Sequence, residues 1–227
     1  MMIFFMPGID TGGLFSNDPA DLSTTLQLII LITIISLAPA ILILMTSFTR
    51  ILIVLSFVRM GLATQQTPPN QVLISLALFM TFFIMAPVFS EVNDEAVTPM
   101  LDGELSQEEA FDAASQPMKE FMAEHTREKD LSLFMGYAGM ERPETLDDVP
   151  LTALIPAFAI SELKTAFQIG FLIFVPFLVI DMIVASVLMS MGMMMLPPVM
   201  ISLPFKILLF VLVDGWYLIV ESLLISF

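Results

Sequence analysis

Ser161-Glu162-Leu163-Lys164 has a spacing that could support nucleophilic catalysis. On a helix its two ends lie one turn apart, where a lysine can help to deprotonate a serine hydroxyl in acyl transfer. The motif lacks its usual companions, since Lys164-Thr165-Ala166 is not K-T-G and no S-D-N occurs, so a chance match is the better reading. The chain contains no P-loop, G-x-G-x-x-G, H-E-x-x-H or EF-hand loop. Its one histidine, His125, lies in an acidic helical stretch and reads as a solvated side chain. With no cysteine and one histidine, a single chain can form no disulfide, thiolate metal site or multi-histidine site. The expectation is a protein without catalytic residues, metal ligands or cofactor-binding residues.

The more informative side chains are charges set among apolar residues: Arg50, Arg59, Glu162, Lys164, Asp181, Lys206, Asp214 and Glu221. An ionisable group at membrane depth costs about 2.5–3.5 kcal/mol on insertion scales, so each should be paired or wet. Pairing between helices or subunits, lining of a pathway and proton transfer are the three readings. The balance of four acids and four bases favours pairing, because a proton relay calls for excess acids or histidines. A second unusual element is Met191-Gly192-Met193-Met194-Met195-Leu196-Pro197-Pro198. Methionine is unbranched and adaptable, so these side chains either fill a helix turn or, brought together around an axis by several subunits, form a deformable apolar constriction.

These groups sit in a chain of 227 residues that is 57% hydrophobic and 14% charged, with a mean hydropathy of +0.92. Such a composition points to an integral membrane protein. The net charge of −15 is unevenly placed, with 16 acids and 4 bases between residues 91 and 150. That imbalance excludes a basic nucleic-acid-binding protein and sets a water-facing insert between greasy segments. Residues 1–21 read as an irregular lead-in without a complete signal peptide, residues 22–90 as a first apolar hairpin, 91–150 as the acidic helical insert and 151–227 as a second apolar hairpin with the methionine turn. Four greasy segments, near 24–48, 72–90, 165–190 and 199–220, suit four membrane helices. Pro39, Pro156, Pro176, Pro197, Pro198 and Pro204 predict that these are bent or broken, which lipid tolerates only beside protein or water. In the insert, Ser106-Gln107-Glu108-Glu109 forms a capping box and Pro117 is expected to split the following helix. Arg50 and Arg59 place the Gly61–Gln71 turn on the cytoplasmic side, hence the insert and both termini outside.

Seven ordered strings carry a resemblance: MTSFTRI from Met45, PPNQVL from Pro68, FMTFFIMAP from Phe79, SELKTAFQIGF from Ser161, GMMMLPP from Gly192, Leu203-Pro204-Phe205-Lys206 and Leu212-Val213-Asp214-Gly215-Trp216. From Pro7 onward the sequence closely resembles the FliP family of flagellar biosynthetic proteins. It is also similar to the related subunits of virulence-associated type III secretion machines, but Asp214-Gly215-Trp216 and the long acidic insert favour the flagellar branch. The resemblance implies an all-α membrane protein of kinked helical hairpins. Its acidic insert would be periplasmic, and several copies would assemble into a ring or helical cone in the bacterial inner membrane at the flagellar basal body. It implies an export-gate subunit rather than an enzyme, five copies joining FliQ and FliR, with FlhB and FlhA nearby, around a closed path for unfolded flagellar proteins. Met193, Met194 and Met195 would form a compliant gasket, and Glu162 and Lys206 an inter-subunit salt bridge. Arg50, Arg59, Lys164, Asp181 and Asp214 remain as embedded charges to be paired. A small-solute or ion transporter with broken helices is the alternative; it calls for two repeated halves, and no clear repeat is present.

Overall fold

The computed structural model describes residues 29, 32–33, 35–37, 39–140, 143, 145–193 and 195–227. The 1–21 lead-in lies outside the described residues, as does Met194. The chain divides into two compact units, Met1–Leu42 and Ile43–Phe227. In the first, the described residues are helical and leave Ile29, Ile32, Ile35 and Ile41 exposed, with the Thr33 and Ser36 hydroxyls turned back onto carbonyls of their own helix.

In the second unit the helices are α1 (Phe48–Gly61), α2 (Asn70–Ile84), α3 (Ala86–Val92), α4 (Thr98–Leu101), α5 (Gln107–Glu124), α6 (Glu128–Tyr137), α7 (Leu151–Ser190), α8 (Pro198–Leu212) and α9 (Gly215–Ile225). No strand occurs among the described residues. The spine is α7, whose 40 residues make it about 60 Å long at 1.5 Å per residue. That is about twice the ~30 Å hydrocarbon thickness of a bilayer. It begins at Leu151 rather than near 165, because Glu162 is taken into a buried pair and does not interrupt the apolar pattern.

Prolines inside the helices do not break them. Pro156 and Pro176 lie within α7 and Pro204 within α8, while Pro197 and Pro198 occupy the N-cap and first turn of α8, where a missing N–H costs nothing. Three sharp bends fall elsewhere: one between Met45 and Phe48, one of 56° at Met85, just before Pro87, and one of 63° at Val213–Asp214, where Asp214 takes a left-handed φ of 51°. Pairing each bent set as one span gives up to four membrane-crossing elements, with α7 the single unbroken helix long and apolar enough among the described residues. The upper count of four agrees with the number of greasy segments expected, but the first element covers residues 39–61, and most of residues 24–38 lies outside the described residues.

Helix α1 runs parallel to α7, fixed by Arg50 against Glu162, Phe57 against Gly170 and Gly61 against Phe177. The two glycines form reciprocal sockets. A Cβ on Gly170 would lie 2.5 Å from the Phe57 ring, and one on Gly61 would lie 2.6 Å from the Phe177 ring. Alanine at 170 gains about 0.8–1.0 kcal/mol of helix propensity, but overpacking costs about 1–3 kcal/mol, so repulsion wins. Gly170→Ala is therefore expected to lower thermal stability in detergent, and adding Phe57→Ala should recover part of the loss.

The acidic insert packs on its own chain. The capping box is formed, with the Ser106 hydroxyl accepting from the Glu109 N–H and the Glu109 carboxylate accepting from the Ser106 N–H at 2.9 Å. Those contacts hold the Glu109 carboxyl below the usual range, the backbone hydrogen bond being the main cause. Helix α5 continues through Pro117 to Glu124 instead of splitting there. One lost backbone bond is outweighed by the burial of Phe121 and Met122 against Met85, Leu154 and Phe158, the apolar core at the N-terminal half of α7.

Candidate functional site

Two ion pairs, one buried and one partly buried, hold the bundle together. The Arg50 guanidinium engages both Glu162 oxygens, with Nε donating to Oε2 at 2.8 Å and Nη2 to Oε1. Its remaining Nη1 donates to the Ser226 carbonyl at 2.7 Å and to the Ser226 hydroxyl at 3.3 Å, while the Phe227 ring lies 3.8 Å beneath the guanidinium carbon. Arg50 is 3% and Glu162 0% exposed, so the planar fork of arginine is matched to a carboxylate in a site closed to solvent. At the other end of α1, the Lys206 ammonium donates to Asp181 Oδ2 at 2.6 Å and to the Gly61 carbonyl at 3.1 Å, and the Ser202 hydroxyl donates to Asp181 Oδ1. Lys206 is 2% exposed.

Glu162 and Lys206 are thus not brought together within the chain; each has another partner there. A bridge between Glu162 of one subunit and Lys206 of the next would require both to exchange these partners on assembly. Arg59 lies in the last turn of α1, donating to the Pro68 carbonyl at 3.3 Å and to the Asn70 side-chain oxygen. Lys164 and Asp214 are exposed and form no ion pair among the described residues.

Ser161 is not a poised nucleophile. It is fully buried, its hydroxyl donates to Asp130 at 2.6 Å and accepts the Arg127 N–H at 3.0 Å, and Lys164 points to the exposed side of α7. This pin fastens α6 to α7. Burial pushes the Asp130 carboxyl up, but the Ser161 hydroxyl and the hydrogen bond and charge of Arg127 outweigh it and leave the group below its usual range. A carboxyl lowered on folding contributes stability above its unfolded value, and that contribution is lost as pH falls through the lowered one. Protease protection of α6 is therefore expected to weaken on acidification below the ordinary carboxylate range. Asp130→Asn should weaken it at neutral pH and flatten the dependence. No signal in the sequence singled out Asp130, which lies in a segment of solvated composition. His125, read as solvated, is half-buried, with Nδ1 2.8 Å from the Phe121 carbonyl and its ring 5.3 Å from that of Phe227.

The methionine turn joins α7 to α8 at the end of the hairpin. Gly192 has φ +74°, Met193 is 42% and Met195 98% exposed, and neither is packed into the bundle. The turn is presented rather than folded inward. Above it, only 6% of the most apolar stretch of α7 is buried within the chain. The arrangement is a pair of internally neutralised clamps on an apolar helix whose most apolar stretch is left uncovered, with Met193 and Met195 exposed at the turn and the acidic insert and residue 227 gathered at the opposite half of α7.

The family model described as the FliP family matches residues 31–223. A flagellar biosynthetic protein FliP of Bacillus subtilis is 72% identical over 93% of this chain and 96% of its own length. One of Pectobacterium carotovorum is 52% identical over 98% and 86%, and one of Aquifex aeolicus is 47% identical over 96% of each. Matches of that extent and identity leave one assignment: this chain belongs to the FliP family of flagellar biosynthetic proteins.

Proposed function

We propose that this subunit of the flagellar protein-export apparatus is a core element of the export gate. Several copies, five by the family resemblance, join FliQ and FliR in the inner membrane, near FlhB and FlhA, and enclose a path for unfolded flagellar proteins. The observation that carries the reading is α7, an unbroken helix about 60 Å long whose most apolar stretch is only 6% buried within the chain. Apolar surface on that scale needs lipid along one part and protein neighbours along the rest.

In the assembly the turns carrying Met193, Met194 and Met195 converge on the axis and act as a compliant ring. A ring of thioether side chains excludes water and ions when closed and deforms around a passing chain. The acidic insert, with residue 227 at the same half of α7, faces the periplasm, and the 62–69 turn near Arg59 lies toward the cytoplasm. The energy for transport comes from partner proteins. The reading is tested by deleting the gene and measuring export of flagellar subunits into the medium. Export should stop and return with the intact chain, whereas continued export in the deletion strain would refute it.

A further inference from the structure

The groove of about 500 Å³ between α3, α5 and the ends of α2 and α9 has apolar walls of Phe83, Pro87, Phe121, Leu224 and Phe227 and carries Glu91, Glu120 and Glu124. The three carboxylates are exposed and have no ion-pair partner among the described residues. The nearby Lys119 reaches the other way, its ammonium 3.4 Å from the Asp147 carbonyl. The groove lies level with the first half of α7, since Phe121 packs on Phe158 and Phe227 lies beneath the arginine that binds Glu162.

On another face of the same chain, Ile160, Leu163, Phe167 and Phe171 form an exposed apolar stripe of α7 at helical spacing, and Lys164 is its one charge. An unpaired lysine on an apolar stripe is costly in lipid, and a groove with apolar walls and carboxylates supplies what it lacks. We propose that this stripe of one copy docks in the groove of the next, with Lys164 meeting the carboxylates of Glu91, Glu120 and Glu124. The inference rests on the multi-copy reading above and gives it a specific contact. Because stripe and groove are different surfaces, the contact is heterologous and repeats from copy to copy, generating a ring or a helical turn rather than a closed dimer.

The chain has no cysteine, so engineered thiols report without background. Leu163→Cys and Phe83→Cys introduced together in the full chain, oxidised in membranes where the gate assembles, should give a disulfide-linked ladder of two, three and more copies. Neither single variant should give one. Lys164→Glu should cut recovery of the multimer roughly tenfold or more, the cost of an unpaired interfacial charge, and adding Glu120→Lys with Glu124→Lys should restore it. Multimers that form without the double-variant ladder would overturn this contact and leave the gate reading standing, as would ladders from the single variants. A chain that never forms multimers would overturn both.

Discussion

Glu162→Lys is expected to abolish recovery of the folded chain, and Arg50→Glu in the same molecule should rescue it. The single change places two cations in a site that is 3% exposed at Arg50 and 0% at Glu162. Breaking a buried pair costs ~3–5 kcal/mol even without added repulsion, a large share of the ~5–15 kcal/mol that holds most domains folded. The pair also ties three helices, because the same guanidinium holds Ser226 beyond α9. Replacing Arg50 and Glu162 together by methionine should be tolerated better than either single change, since removing both charges removes the desolvation cost as well. The measurement is the yield and thermal stability of the detergent-purified chain. The rescuing partner separates two arrangements. If Lys206→Glu rescued Glu162→Lys and Arg50→Glu did not, the decisive contact would be the one between subunits.

Met193, Met194 and Met195 changed together to alanine should raise the resting ion conductance of the assembled gate by at least about tenfold, with assembly intact. Each alanine shortens the side chain by three heavy atoms, and a dewetted constriction fails steeply once it is wide enough for a continuous water thread. Stability should be spared, because Met193 and Met195 are exposed and contribute little to the bundle. Leucine at the three positions should keep ions out but hinder passage of substrate, since a branched side chain adapts less well than an unbranched thioether. Conductance across planar bilayers and subunit export in cells read the two effects separately.

The parts of this protein legible in its sequence are those set by composition and local pattern. The Ser106–Glu109 box marks the start of α5 because capping is a contact within four residues. The apolar runs locate the greasy helices because hydrocarbon length fixes their size. As helix breakers the prolines misled, because packing overrode a local cost: Pro117, Pro156 and Pro176 lie inside continuous helices, while a sharp bend occurs at Asp214, which no proline marks. Pair identities were not legible either. Four embedded acids and four bases fit many pairings, and separations of 112 residues for Arg50–Glu162 and 25 for Asp181–Lys206 leave no periodic trace. The same limit hid Asp130 and Ser161, joined across 31 residues.

The most apolar stretch of α7, only 6% buried within the chain, calls for neighbours, and the proposed gate supplies them as further copies of the same chain. Native mass measurement of the complex, purified from membranes with its co-expressed neighbours, reads out those copies. A single assembly containing several copies of this chain together with FliQ and FliR is the expected mass. A stable, fully folded species carrying one copy and no neighbours would contradict it.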